Sequence, residues 1–251
     1  MIKYAFVTNQ GPCHDENEDS IVINGKIYNK SNAKGSGFRF GKSFKIAVFD
    51  GVGGADCGEV ASGVCANSFV KHCNPSHIFE RDDIYDTVET MQNDLIIAQA
   101  DTEEMMTTFV CAMSNGKEYI FANMGDSRAY LINDGKIKQY SFDDTYRNKL
   151  LREGRLSRKE IDELPIAHVI TKCLGTDDFN KRDTHSYFVS KNKGQCYLMV
   201  MSDGVSDLVT EAELLSITTE LGSPKKIVNR IEELVLKRGA HDNYSIIIIK
   251  D

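Results

Sequence analysis

Four segments of this chain are almost continuously hydrophobic over four to six residues, and they restrict the folds open to it. A strand with one face in water alternates apolar and polar residues, whereas a strand covered on both faces does not. We therefore expect sheets with other structure packed against each face. The predicted strands are residues 46–49, 119–124, 197–201 and 246–249.

Two turn signals join these strands to their neighbours. Asn115-Gly116 precedes the strand at 119, and Asp134-Gly135 follows a further predicted strand over residues 129–132. Both dipeptides favour the tight turns of β-hairpins, because their residues tolerate positive φ. Neighbouring strands are therefore expected to pair antiparallel.

Helices are predicted between the groups of strands. Apolar positions recur at helical spacing over residues 60–69 and 84–95. Thr210 and Glu213 form a capping box, and Ser223-Pro224 opens a further helix expected to close at Gly239. We expect these helices to face the core.

Composition and charge exclude several classes of protein. The 251 residues are 41% hydrophobic and 27% charged, which is typical of a globular chain that needs no disulfides. The formal charge of −7 is the wrong sign for general binding of nucleic acid or anionic membranes. No apolar run is long enough for a membrane span, and no secretory signal is evident. We expect a cytoplasmic protein without nucleic-acid or membrane partners.

The seven cysteines are odd in number and include no Cys-x-x-Cys pair, which indicates reduced thiols. Cys57, Cys65 and Cys73 lie eight residues apart along one predicted helix. A zinc site is one interpretation, but the three positions drift around the helix axis. Small buried hydrophobic residues are the interpretation that the pattern favours.

One segment differs in composition from the rest. Residues 25–45 hold six basic residues and no acidic one, with glycines at 35, 37 and 41. We predict an exposed, flexible hairpin extension there.

Carboxylates stand at the ends of the hydrophobic runs, and a further acidic cluster at residues 15–19 follows the amino-terminal strand. Each Asp-Gly pair alone is typical of a solvated turn. Carboxylates at the ends of adjacent strands, however, would converge and repel one another. An all-oxygen set without His or Cys suits Mg²⁺ or Mn²⁺. The residues concerned are Asp50, Asp126, Asp203 and Asp242.

Six short motifs occur in an order that resembles the metal-dependent protein phosphatases of type 2C, in their bacterial serine/threonine branch. The resemblance implies an α+β fold, a four-layer α/β/β/α sandwich of two antiparallel sheets flanked by helices. It also implies one phosphatase domain over residues 1–251. The motifs are Asn17-Glu18-Asp19, Asp50-Gly-x-Gly-Gly54, Thr107-Thr108, Gly125-Asp-Ser-Arg128, Ser202-Asp-Gly204 and Asp242-Asn243.

The resemblance implies that two divalent cations, Mn²⁺ or Mg²⁺, hold a bridging hydroxide that hydrolyses phosphoserine or phosphothreonine in proteins. Asp50 is implied to bridge both ions. Asp203 and Asp242 are implied to complete the ligands of one ion, and the Gly51 carbonyl to bind the other. These three aspartates are thereby the implied catalytic residues.

Three further acids are implied to support the site. Glu18 and Asp19 would hold and orient water molecules bound to the metals. Asp126, together with Asp203, matches the position of a possible third ion. The implied partners are phosphorylated proteins and an opposing serine/threonine kinase, and we expect a monomer.

The chain departs from the family pattern at the substrate phosphate. His14 stands where the family has an arginine, and it offers fewer donors and no permanent charge. Val52 is apolar as in bacterial members, and Arg128 is expected to be structural. The alternative function is a pseudophosphatase that binds metals or phosphoproteins without turnover, and His14 is the feature that favours it.

Two surface segments could contact substrates. Residues 141–175, which contain a Ser157-Glu160 capping box, correspond to the flap of bacterial relatives, and a plain surface helix pair is the alternative. The basic segment 25–45 could dock acidic phosphopeptides, although a solvated excursion is the simpler interpretation.

Overall fold

The computed structural model describes residues 1–29, 31–39, 41–52, 57–99, 105–154, 156–191 and 194–251. The strands in these ranges are β1 (Ile2–Asn9), β2 (Ser20–Ile23), β3 (Lys26–Asn29), β4 (Ala33–Arg39), β5 (Ser43–Phe49), β6 (Phe109–Asn115), β7 (Glu118–Met124), β8 (Arg128–Asn133), β9 (Lys136–Gln139), β10 (His185–Ser190), β11 (Cys196–Met201) and β12 (Tyr244–Lys250). The α-helices are α1 (Gly58–His72), α2 (Arg81–Gln99), α3 (Tyr146–Glu153), α4 (Arg158–Asp162), α5 (Asp203–Ser206), α6 (Glu211–Leu221) and α7 (Pro224–Lys237).

The strands form two six-stranded sheets, in the orders β4-β1-β12-β11-β8-β9 and β10-β7-β6-β5-β2-β3. Every neighbouring pair is antiparallel. Both predicted hairpins are confirmed: β6 pairs with β7, and β8 with β9. Gly116, Asp134 and Gly135 adopt the positive φ that such turns require.

Three apolar layers hold the two sheets and the helices together. Phe6, Val48 and Ile247 belong to the layer between the sheets. Helices α1 and α2 cover the outer face of the second sheet, and α6 and α7 cover the first. The four-layer sandwich is thereby confirmed. In β12, Ile246 and Ile248 pack on the helix side while Ile247 and Ile249 pack between the sheets, which explains its unbroken hydrophobic run.

The predicted helix boundaries follow from local hydrogen bonds. Capping boxes open α4 at Ser157 and α6 at Thr210. Helix α7 begins after Ser223 and ends two residues before Gly239, whose φ is 106°. Among the described helices, none is both long and apolar enough to cross a membrane.

The prediction of an exposed hairpin extension over residues 25–45 is correct for the exposure of most of the described residues and wrong for the hairpin. Strand β3 is an edge of the second sheet and β4 an edge of the first, so this segment links the two sheets. Lys30, within it, lies outside the described residues. The glycines have a packing role that the local pattern does not reveal: a Cβ at Gly35 would lie 2.8 Å from the Phe6 ring, and one at Gly37 2.7 Å from the Tyr4 hydroxyl.

Lys45 ends the same basic segment but is buried in β5. Its ammonium group donates hydrogen bonds to the carbonyls of Phe69, Val70 and Cys73, at 3.1, 2.9 and 2.5 Å. These carbonyls belong to the last turn of α1, where no backbone donor remains for most of them. Lys45 therefore caps α1 from the neighbouring strand, even though burial lowers the pKa of its ammonium group.

The cysteines are free thiols, and their positions do not form a zinc site. Cys57 is exposed and precedes α1, whereas Cys65 and Cys73 are buried in and just after it. Helix α1 spans residues 58–72, so Cys57 and Cys73 lie just outside it and not within one helix as predicted. The interpretation as small buried residues is correct for Cys65 and Cys73 and wrong for Cys57.

We predict that Lys45→Met lowers the free energy of unfolding by at least about 2 kcal/mol, because three carbonyls at the end of α1, in two buried hydrogen bonds and one half-buried one, lose a charged donor while the packed side-chain stem is retained. For a chain of this size the melting temperature should fall by about 4 °C or more. Thermal unfolding followed by circular dichroism measures this. Lys42→Met, at an exposed neighbour, is the control and should leave the melting temperature unchanged; an equal shift in both variants would contradict the capping role.

Candidate metal centre

Antiparallel pairing places the acidic strand ends at one edge of the sandwich. Strand β11 runs towards Asp203, and its antiparallel neighbour β12 starts just after Asp242. In the other sheet, β5 and β7 run in the same direction and end before Asp50 and Asp126. Strand β2 starts just after Asp19, beside the end of β5. The sequence prediction that these carboxylates converge is consistent with this topology.

The backbone of Asp50 is held by the two threonines of the 107–108 motif. Its carbonyl accepts hydrogen bonds from the Thr108 amide at 2.8 Å and the Thr107 hydroxyl at 2.9 Å. Its amide donates to Thr108 Oγ1 at 3.2 Å. Thr108 Oγ1 also lies 2.9 Å from the Ser127 hydroxyl, next to Asp126. One threonine thus fixes the positions of two candidate ligands while leaving their carboxylates free of this contact.

Close backbone contacts bring the remaining groups in. A Cβ at Gly51 would lie 2.5 Å from the Gly58 backbone, and one at Gly58 would lie 2.7 Å from Glu18 Oε2. A Cβ at Gly204 would lie only 2.0 Å from the Asn243 carbonyl oxygen. Side chains at these glycines would hold the loops apart, so glycine is required for the carboxylates to approach one another.

Asn243 joins the amino-terminal loop to the Asp242 turn. Its Oδ1 accepts from the Glu18 amide at 2.7 Å, and its Nδ2 donates to the Gln10 and Glu16 carbonyls. The motif alone did not reveal this role. The signal available in the sequence was only that an amide side chain follows Asp242.

Asp19 is fully buried, and only one of its two carboxylate oxygens has a hydrogen-bond donor among the described residues. Its Oδ2 accepts a hydrogen bond from the Ser202 hydroxyl at 2.9 Å, while the Ser245 amide donates to the same hydroxyl. Its Oδ1 has no hydrogen-bond partner in the described part of the chain. Burial, opposed by the serine hydrogen bonds, raises its pKa to about 7.

Two further carboxylate oxygens are buried without a partner among the described residues: Oδ1 of Asp126 and Oδ1 of Asp203. An unsatisfied buried carboxylate is costly unless an ion or a proton compensates it. Three such oxygens at one edge of the sandwich are what a site for hard divalent cations requires. The donor set therefore fits Mn²⁺ or Mg²⁺.

Burial also raises the pKa values of the aspartates that face this edge. The pKa of Asp50 lies well above its usual range because of burial and then the charges of Asp19 and Asp203. Burial and the neighbouring Asp242 raise the pKa of Asp203 to about 6. Burial and Asp203 raise that of Asp126. A divalent cation would reverse this effect, because it stabilises the ionised carboxylates.

In the described ranges, no three His, Cys, Asp or Glu side chains already surround one point closely enough to hold an ion. Asp242 is the outlying member: its side chain is 54% exposed and its Oδ1 lies 2.7 Å from the Asn243 amide. Like charges keep such carboxylates apart, and exposure lets Asp242 rotate inwards. Residues 53–56, with the end of the Asp50–Gly54 motif, lie outside the described residues.

His14 lies beside the candidate metal centre, whereas the guanidinium group of Arg128 is engaged in an ion pair. His14 Nε2 is 3.4 Å from Asp242 Oδ1 and 3.2 Å from the His241 carbonyl oxygen. Arg128 donates to Asp143 from Nε at 2.9 Å and from Nη2 at 2.7 Å. The expectation that Arg128 is structural is consistent with this ion pair.

The sequence matches a known family over most of its length. The profile described as "Protein phosphatase 2C" matches residues 36–234. The chain is 26% identical over 258 residues to the serine/threonine protein phosphatase PstP of Mycobacterium tuberculosis, covering 99% of this chain and 45% of PstP. It is 25% identical to the serine/threonine phosphatase stp of Listeria innocua, covering 98% of this chain and 94% of that protein. The chain thus spans less than half of PstP and nearly all of the Listeria protein.

Solved structures agree with the fold. The serine/threonine phosphatase Stp1 of Staphylococcus aureus superposes with a TM-score of 0.80 at 28% identity, over 100% of this chain and 95% of Stp1. The catalytic domain of PstP, solved in complex with two manganese ions, superposes with a TM-score of 0.76 at 24% identity, over 99% of this chain and 97% of that domain. The profile match over residues 36–234 shows that the chain belongs to the protein phosphatase 2C family.

Proposed function

We propose that this protein is a metal-dependent phosphatase that hydrolyses phosphoserine and phosphothreonine in proteins. The observation that carries the proposal is the set of carboxylate oxygens at Asp19, Asp126 and Asp203 that are buried with no hydrogen-bond partner in the described residues, on the edge where Asp50 and Asp242 also lie. Membership of the protein phosphatase 2C family and the two manganese ions bound to PstP support the same chemistry.

The proposed ligands are those that the motifs predict. The carboxylates of Asp50, Asp203 and Asp242 and the carbonyl of Gly51 would hold the two divalent cations. Two divalent cations bound there would supply Lewis acidity and a hydroxide near neutral pH. The Thr107 and Thr108 hydrogen bonds hold Asp50 in place, so its carboxylate needs little reorganisation to bind.

The remaining acids are proposed to orient water molecules or a further ion. Glu18 is positioned by Asn243 and lies against Gly58, beside Gly51. Asp19 is oriented by Ser202. Asp126, with its buried Oδ1, is the proposed ligand of a third ion together with Asp203.

His14 is proposed to contact the substrate phosphate, since it lies at the exposed edge of the centre beside Asp242. A pseudophosphatase would be free to lose these carboxylates, so the presence of the complete set favours the enzyme. We propose that residues 1–251 form one phosphatase domain, with the flap at residues 141–175 carrying α3 and α4.

Phosphorylated proteins and an opposing serine/threonine kinase are the proposed partners, in signalling by reversible phosphorylation. We further propose that the protein is a cytoplasmic monomer. The seven free thiols support a reducing compartment.

Asp50→Asn and Asp203→Asn should each lower Mn²⁺-dependent release of phosphate from a phosphothreonine peptide by more than about 100-fold, because even partners of metal ligands account for 10–100-fold. The metal-free variants should remain folded, since an amide relieves the repulsion between buried carboxylates. Asp134→Asn, in the distant β8–β9 turn, is the matched control. Full turnover in either site variant would refute the ligand assignment.

Stabilisation by Mn²⁺ should depend on pH. The pKa values of Asp203 and Asp19, about 6 and about 7, lie above those of an unfolded chain. Their protons stabilise the metal-free fold below about pH 4, and this contribution is lost as the pH rises through about 6 to 7. Mn²⁺ should therefore raise the melting temperature more at about pH 8 than at about pH 5, where it competes with protons. Equal shifts at both values would contradict the buried-carboxylate centre.

His14→Arg should lower KM for a phosphothreonine peptide by about tenfold, because arginine offers a permanent, bidentate charge to phosphate. The kcat should change less than KM. Steady-state kinetics test this, with His77→Arg on a remote surface turn as the control. An unchanged KM would remove His14 from the phosphate site.

A further inference from the structure

A cleft of about 560 Å³ opens between α3, residues 171–183 and the edge strand β10. Its size suits a side chain or a small ligand. The charged residues that line it have both signs, and most of the acids already have partners. Lys172 Nζ lies 3.4 Å from Asp178 and 3.0 Å from Asp183. Asp144 Oδ1 lies 2.9 Å from His185 Nε2.

Three cationic side chains that line the cleft have no such ion pair among the described residues. Lys149, Arg152 and Arg182 form no ion pair within the part of the chain that the structure describes, and all three are exposed to solvent at the cleft. Of the acidic side chains that line the cleft, only Glu153 forms no ion pair with another described residue. The lining as a whole has four Lys or Arg side chains and four carboxylates, but among the groups without an ion pair in the described residues the three cations outnumber the single carboxylate.

Arg152 is held in an orientation that suits an anion. Its guanidinium carbon lies 3.9 Å from the centre of the Phe142 ring. Contact with the ring face leaves the N–H groups at the edge of the guanidinium available for a bidentate contact with carboxylate or phosphate. The Phe142 backbone is itself fixed: its amide donates to Asn123 Oδ1 at 3.0 Å, and Asn123 Nδ2 donates to its carbonyl at 2.7 Å.

The same buried groups position the turn that carries Asp126. Asn123 Nδ2 also donates to the Gly125 carbonyl at 3.1 Å. The Gly125 amide donates to Asp144 Oδ2 at 3.1 Å, and the Asp144 amide donates to the Gly125 carbonyl at 3.0 Å. The wall of the cleft and one end of the metal centre are therefore one hydrogen-bonded unit.

We propose that this cleft binds a second anionic group of the phosphoprotein substrate, in the sequence around the residue that is dephosphorylated. Arg152 makes the main contact, and Lys149 and Arg182 add charge. The chemistry suits the carboxylate of Asp or Glu and equally a second phosphate. The inference rests on the proposed function, and it assigns a preference for acidic phosphoproteins to residues outside the metal centre.

The test measures binding and turnover separately. Binding of three fluorescein-labelled phosphothreonine peptides is followed by fluorescence anisotropy in the presence of chelator. The first peptide has Asp residues beside the phosphothreonine, the second has Asn at the same positions, and the third has phosphoserine at one of them. The wild-type chain should bind the Asp peptide about tenfold more tightly than the Asn peptide. Arg152→Gln should lose this difference, and Arg152→Lys should keep part of it. A phosphoserine peptide that binds more tightly than the Asp peptide would identify phosphate as the preferred group.

Lys136→Gln is the matched control. It removes one charge from the start of β9, which pairs with the end of β8 that is remote from Asp126. Thermal unfolding of Arg152→Gln shows whether the variant is folded. Equal binding of the Asp and Asn peptides to the wild-type chain, or no binding of either, overturns the inference. The inference is also overturned if Arg152→Gln still binds the Asp peptide more tightly than the Asn peptide by the same factor as the wild-type chain.

Turnover of p-nitrophenyl phosphate with Mn²⁺ separates this inference from the proposed function. This substrate has no second anion, so Arg152→Gln should hydrolyse it as the wild-type chain does. No turnover by the wild-type chain would contradict the proposed function, while the binding measurements would still decide the inference. A loss of p-nitrophenyl phosphate turnover in Arg152→Gln would place Arg152 in the catalytic centre instead and overturn the inference.

Discussion

Burial of several carboxylates at one edge of the sandwich is the constraint on which the rest of the structure depends. Asp19, Asp126 and Asp203 each keep an oxygen out of water without a described partner, and their pKa values rise because the ionised forms are poorly solvated. Such an arrangement costs free energy in the absence of an ion. The large apolar layers on both faces of each sheet offset that cost, so the fold can hold a centre that only a cation completes.

The centre is held by backbone contacts more than by side-chain pairs. Gly51 against Gly58, and Gly204 against Asn243, let loops from both sheets approach to distances that any side chain would prevent. Thr108 and Asn243 then connect neighbouring strand ends through hydrogen bonds. The carboxylates of Asp50 and Asp126 take no part in these contacts, so they can bind an ion with little rearrangement.

Selectivity for substrates has to come from outside this centre, because the chemistry that two divalent cations would supply there acts on any accessible phosphate monoester. The structure offers two places for it. One is His14, whose proposed contact with the substrate phosphate would be made beside Asp242. The other is the cleft that contains Arg152 and Phe142, which Asn123 connects by hydrogen bonds to the turn before Asp126. An acidic preference built there would leave the chemistry unchanged.

The sequence alone indicated part of the secondary structure and the chemistry: unbroken apolar runs that require covering on both faces, capping boxes at Ser157 and Thr210, and aspartates at strand ends. These are readable because each depends on residues a few positions apart. Only the tertiary structure decided that β3 and β4 belong to different sheets, that Lys45 caps α1, and that Arg152 stacks on Phe142 beside the Asp126 turn. Such contacts join residues distant along the chain, as Glu18 and Asn243 do across 225 positions. No local pattern encodes them, because they arise from the packing of the two sheets.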